Sequence, residues 1–331
     1  MGAYDDGCES MALKKKAMYF TVMTIAMLTI FTFIFLAPGY QKESADMLSV
    51  ESRIDSINSF IESLNRDVER GLYISSYMAI LSMEGYIISE GSFLNDTEDD
   101  FMEAVINGTL HGKNLSLMKD ESVTFPDWIK NIRQESSKFN IDLDLEVKNM
   151  TIYQKSPWHV TVGANYSLQV NESTGLASWN MDRYAETDIS IIGFEDPLYI
   201  RFGLGRTTNI INRTIFDNNY ARKVNGSWNL TNLMEHIRSS YYSANQDAPS
   251  FLSRLEYDLD PSPYGIESFV DIEEFIKQGI STNDGSSIID FHYFADDGNA
   301  EYRINFTPSW VKIDDGHRAR YNVSIPSYGI G

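Results

Sequence analysis

The pattern of apolar and polar positions changes period along this chain, and each change marks a different kind of element. Ala17 to Ala37 is a run of 21 uncharged residues. About 20 apolar residues of helix cross a bilayer, so the run predicts a transmembrane helix over 17–37. Lys14, Lys15 and Lys16 abut its start, which assigns residues 1–16 to the cytoplasm and everything after Gly39 to the exterior. Beyond Pro38-Gly39, the residues Met47, Val50, Ile54, Ile57, Ile61, Leu64 and Val68 follow at alternating steps of three and four, a heptad seam. That spacing predicts a long amphipathic helical stalk over 40–91. Its seam serves either self-association or packing of the helix on its own head. The phase is lost near Gly71-Leu72, where the helix becomes apolar on most sides, as on entering a core.

The head, 92–331, begins with mixed helix and loop, including an amphipathic helix in "FPDWIKNIRQESSKF". From Ile141 the period becomes two. "IDLDLEV", "MTIYQ", "WHVTVGANYSLQV" and "YAETDISIIGF" then read as strands of an antiparallel sheet with one wet face. "NLTNLMEHIRSSYYSA" and "IESFVDIEEFIKQGI" read as helices, and "SSIIDFHYF", "AEYRINF" and "RYNVSI" as further strands. The expectation is an α+β protein: a transmembrane helix, a stalk, and an extracellular head holding antiparallel sheet, with a boundary near 195–215.

Charge narrows the partners. The net charge is -20, and since residues 1–16 balance, all of it falls after residue 37. Such a surface repels nucleic acid and anionic lipid. The single cysteine, Cys8, precedes the apolar run, so the head holds no internal disulfide. The chain carries 11 N-x-[ST] tripeptides, at Asn95, Asn107, Asn114, Asn149, Asn165, Asn171, Asn212, Asn225, Asn229, Asn305 and Asn322. Random placement gives about 3.6, and the excess lies wholly in the region assigned to the exterior, where these are glycosylation candidates.

Catalytic chemistry is hard to find. The five histidines, His111, His159, His236, His292 and His317, show no i, i+4 pair, and no cysteine joins them. There is no G-x-S-x-G elbow and no phosphate-binding loop, and "FGLGR" reads as a turn. Asp296, Asp297, Asn299 and Glu301 form an oxygen-rich loop around Gly298 that suits Ca²⁺ in type but lacks the spacing of a calcium loop; an Asp-Gly hairpin turn explains it better. No cofactor is indicated.

Two stretches carry resemblances. Lys14-Lys15-Lys16-Ala17-Met18 resembles the processing signal of type IV pilin-like proteins, which implies cleavage between Ala17 and Met18 with the apolar helix retained. Val22 stands where bacterial pilins keep a glutamate. The head, in "IIGFEDPLY", "SYYSANQDAPSFLSRLE", "GIESFVDIEEFIKQGIS" and "PSWVKIDDGHRARYNVS", is similar to a family of archaeal single-pass membrane proteins without assigned activity. Together they imply a non-enzymatic, membrane-anchored cell-surface protein of pilin-like type. Its partners would be the lipid bilayer and, through transmembrane helix and stalk, itself or pilin-like proteins. The alternative is a monomeric anchored binding or adhesion module, and the third an extracellular enzyme.

Overall fold

The computed structural model describes Met27 and residues 50–119, 123–175, 177–207, 209–217, 219–295, 299–324 and 326–330. The chain divides into two compact units, Met1–Leu64 and Asn65–Gly331. Helical residues run from 50 to 90 (α1). In the first unit Ile57, Ile61 and Leu64 are buried.

The second unit is α+β. Its part of α1 buries Val68, Leu72, Ala79, Ile80, Met83 and Ile87. After a turn come α2 (Thr97–Asn107), a short pair β1 (Thr109–Leu110) and β2 (Lys113–Asn114), and α3 (Phe125–Ser137). Side chains start both helices: Asp96 accepts from the backbone N–H groups of Glu98 and Asp99, and Thr124 from that of Asp127. The principal sheet is an antiparallel meander of β3 (Ile141–Ser156), β4 (His159–Glu172) and β5 (Ser178–Ser190). Along β4 the buried residues include Val160, Val162, Ala164, Tyr166, Leu168 and Val170, the face that alternation selects. In β3 the buried positions are odd up to Leu145 and even from Met150, because a bulge between Val147 and Asn149 inserts one residue and flips the phase. "IDLDLEV" and "MTIYQ" are therefore one strand. Tyr166 Oη donates to Asn65 Oδ1 at 3.2 Å, tying this sheet to α1.

Beyond the sheet the elements are short: α4 (Pro197–Phe202), β6 (Asn212–Arg213), the hairpin β7 (Arg222–Val224) with β8 (Ser227–Asn229), α5 (Thr231–Arg238) and β9 (Tyr241–Ala244). Then follow α6 (Phe251–Glu256), β10 (Ile266–Ser268), α7 (Ile272–Lys277), α8 (Asp290–Ala295), β11 (Tyr302–Ile304), β12 (Lys312–Ile313), α9 (Asp315–Arg320) and β13 (Ser327–Gly329). They form two small sheets, ordered β10-β9-β6 and β12-β11-β13, around a core that includes Leu198, Leu233, Phe269, Ile289 and Tyr321.

Several expectations are corrected here. Among the described residues no helix is long and apolar enough to cross a membrane. The segment 17–37, apart from Met27, lies outside the described residues, as do Ala17 and Met18. The single-pass architecture, and the membrane localisation and exterior placement that rest on it, are set aside on that finding. There is also no separate stalk among the described residues: from residue 65 onward α1 is a core helix of the second unit, so its apolar periodicity reflects burial in that unit. "SSIIDFHYF" is no strand, because Asp290 opens the helix α8, and in "RYNVSI" Arg320 ends α9 and a turn follows at Tyr321 and Asn322. "IESFVDIEEFIKQGI" splits into β10 and α7, the latter begun by Asp271 as N-cap.

Candidate functional site

The second unit is organised around a buried cation. Arg254, on α6, has no exposed surface. Its Nη1 donates to Asp196 Oδ2 at 2.6 Å and to Asp290 Oδ2 at 2.9 Å, while Nη2 donates to the Ile266 carbonyl. Tyr242 Oη donates to Asp196 Oδ2 at 2.8 Å, and Ser268 gives both its backbone N–H and its hydroxyl to Asp290 Oδ2. Burial alone would pull the guanidinium down; Asp196 and Asp290 more than offset it and hold it up. Burial raises the Asp290 carboxyl, against the pull of Arg254.

Two arms of this network reach a cleft of about 330 Å³. Tyr199 shares a 2.9 Å hydrogen bond with Ser268, and Asn209 Nδ2 donates to Tyr242 Oη at 2.8 Å; Tyr199 and Asn209 both line the cleft. Phe269 and Phe275 add apolar wall, and Arg206, Arg238, Asp271 and Glu274 bring two charges of each sign. Asp271 is committed to capping α7, accepting from the N–H groups of Glu273 and Glu274, and burial raises its carboxyl. Thr207 also lines the cleft, and its hydroxyl is buried without a hydrogen-bond partner.

A second cluster gathers at the start of α9. Asp314 is the N-cap, and its Oδ1 accepts from His317 N at 2.9 Å and lies 2.8 Å from His317 Nδ1. The other ring nitrogen, Nε2, lies 3.0 Å from Glu267 Oε2. Glu267 is fully buried and also takes hydrogen bonds from Tyr321 Oη (2.6 Å) and Asn245 Nδ2 (2.6 Å), with Arg320 Nε at 2.8 Å. Desolvation would raise Glu267, but His317, Tyr321 and Arg320 lower it below the usual carboxylate range. His317 is pulled down by burial and carried up to about 9 by Asp314 and Glu267. The His292 ring stands 5.4 Å from that of His317 at 78°.

The residues singled out from sequence are scattered. Of the glycosylation candidates, Asn95, Asn107, Asn114, Asn149, Asn165, Asn225 and Asn322 are exposed, and Asn171, Asn212, Asn229 and Asn305 half-buried. Asp296 and Asp297 lie outside the described residues, Asn299 bridges to Ser286, and Glu301 pairs through its backbone with Ile313 and Ile330. In the seam, Met47 lies outside the described residues, Val50 is exposed, Ile54 is half-buried, and Ile57, Ile61, Leu64 and Val68 are buried. Neither the cleft nor the His317 cluster was visible to motif reading, because their residues come from separate short elements. The one local signal is "DDGH": Asp314 and His317 occupy the N-cap and third helical positions, which meet in space. Comparison with family models, curated proteins and solved structures finds no match to this chain.

Proposed function

We propose that the chain is a non-enzymatic binding module whose second unit takes a small zwitterionic molecule in the cleft lined by α5, α7 and the residues Arg206, Thr207 and Asn209. The observation that carries this reading is the lining itself. In a protein of net charge -20, the cleft brings two arginines against two acids beside three aromatic rings. A ligand with one charge of each sign, on a compact apolar body, matches that balance, and the volume lies within the range of small-molecule sites. Asp271 spends its carboxylate on a helix cap, which favours holding a ligand over turning one over.

The test is calorimetric titration of the full chain with a panel of free amino acids and betaines. Binding is expected for at least one member. Arg238→Glu, at an exposed position, should weaken it at least tenfold while the far-ultraviolet circular dichroism is unchanged. Heat from no member of the panel, or undiminished binding by Arg238→Glu, would sink the proposal.

A further inference from the structure

The geometry points to a transition-metal site, of the kind that takes Zn²⁺, formed by His292, Asp314 and His317. It lies apart from the cleft lining and stands independently of the function proposed above. One nitrogen from each histidine and one carboxylate oxygen of Asp314 all lie within 4.8 Å of one another. Two imidazoles and a carboxylate are a ligand set that zinc favours, leaving a fourth position for water. Zinc bonds of about 2.0–2.2 Å put donor atoms roughly 3.3 Å apart in a tetrahedron, so His317 Nδ1 and Asp314 Oδ1, 2.8 Å apart, open a little to admit the ion. His317 is buried, whereas His292 and Asp314 are half-buried, so an ion reaches the cluster from their side.

What distinguishes this cluster from a chance meeting of polar side chains is the arrangement behind it. Glu267 Oε2, 3.0 Å from His317 Nε2, keeps hydrogen on that nitrogen, so the proton on the other is the one that can give way to an ion. The remaining nitrogen, Nδ1, is then the ligand, and it is the one that faces Asp314 Oδ1 at 2.8 Å. A carboxylate behind a histidine ligand is the usual means of orienting the ring and making it a better donor. Glu267 is itself held by Tyr321, Asn245 and Arg320. Asp314 is oriented in the same way, its Oδ2 accepting from Ser287 Oγ at 2.8 Å and its Oδ1 from the His317 backbone N–H. On binding, the ion occupies the place of the proton between Nδ1 and Asp314, and that proton leaves to solvent. Glu267 and Ser287 are positioning residues in this scheme, and touch no ion.

The experiment uses the full chain, stripped with a chelator, dialysed, and titrated with ZnCl₂ by calorimetry in a large excess of Mg²⁺. Magnesium occupies the acidic surface but competes poorly for imidazole. One Zn²⁺ per chain is expected. His292→Ala should weaken it at least tenfold, and His159→Ala, at an exposed site on β4, should leave it unchanged. Zinc uptake abolished by Mg²⁺, or His292→Ala binding as tightly as the parent, overturns the assignment. Should alanine at 292 impair folding, Co²⁺ added to the parent protein decides by nuclear magnetic resonance. Selective shifts of two of the five histidine ring signals support the site; shifts of none, or of all five alike, refute it.

Discussion

At the scale of single residues, the buried charges decide most. One arginine faces two aspartates in a region without solvent, so removing the cation leaves two carboxylates unpaired. Deleting one partner of a buried pair costs about 3–5 kcal/mol, and Arg254→Met is expected to fall in that range by urea unfolding. Asp290→Asn should cost distinctly less, because it removes the surplus negative charge and keeps the Arg254–Asp196 contact; equal losses in the two variants would contradict this account. His236 offers a pH test. It is buried, with Nδ1 3.2 Å from Thr214 Oγ1 and no partner for Nε2, and burial lowers its pKa from 6.5 to about 3 despite the nearby Glu267. The unfolded chain therefore binds a proton between these values where the folded chain does not. Stability is full above pH 6.5 and declines as pH falls toward 3, by about 2 kcal/mol between pH 7 and pH 5. His236→Phe keeps the ring packed near Tyr220, Phe269 and Tyr321 and removes the titration, so its pH 7 to pH 5 loss should be smaller by that amount. An unchanged loss would place the acid sensitivity elsewhere. None of these residues announced itself in the sequence. Arg254, Asp196 and Asp290 are ordinary surface types, and only their burial, contributed by three different elements, gives them meaning.

At the scale of elements, α1 and the principal sheet show what periodicity conveys. The alternation in "HVTVGANYSLQV" identified the buried face of β4, because a long strand with one wet face writes its geometry into every second residue. In β3 the same rule split one strand in two, since it cannot see a bulge. For α1 the apolar spacing was legible but its cause was not. A seam that packs in a core and a seam that joins two chains have the same period. The loss of phase at Gly71 has a local explanation. A side chain there would put its Cβ 2.5 Å from Trp128 Cδ2 and Cε2, so glycine lets the α3 indole lie directly on α1. Gly71→Ala gains about 1 kcal/mol of helix propensity but forces the ring aside, at a cost of about 1–3 kcal/mol. Net destabilisation is therefore expected, read as a lower urea midpoint, and the double variant Gly71→Ala, Trp128→Leu should recover part of it. A more stable Gly71→Ala would mean that the ring moves freely. The short elements after residue 190 were least legible. Helices of six residues such as α7 and α8 have too few turns to display a period, and tertiary contacts decide their type.

At the scale of the whole molecule, the net charge of -20 sets a competition between two salt effects. Exposed ion pairs such as Lys148–Asp182 and Arg133–Asp144, both 2.5 Å, lose strength when screened. Each contributes under about 1 kcal/mol at the surface, so screening them costs little. The repulsion among surplus acids is long-range, and raising NaCl from about 0.01 M to about 1 M shortens the screening length from roughly 30 Å to roughly 3 Å. With 47 acidic and 27 basic side chains, the repulsive contacts relieved outnumber the attractive ones weakened. Stability should therefore rise with NaCl, each kcal/mol gained appearing as about 2–4 °C in the melting temperature for a unit of this size. Screening is non-specific, so KCl should act as NaCl does at equal ionic strength. A melting temperature that falls as NaCl is added would show that the surface pairs, and not the surplus charge, govern the electrostatics of this protein.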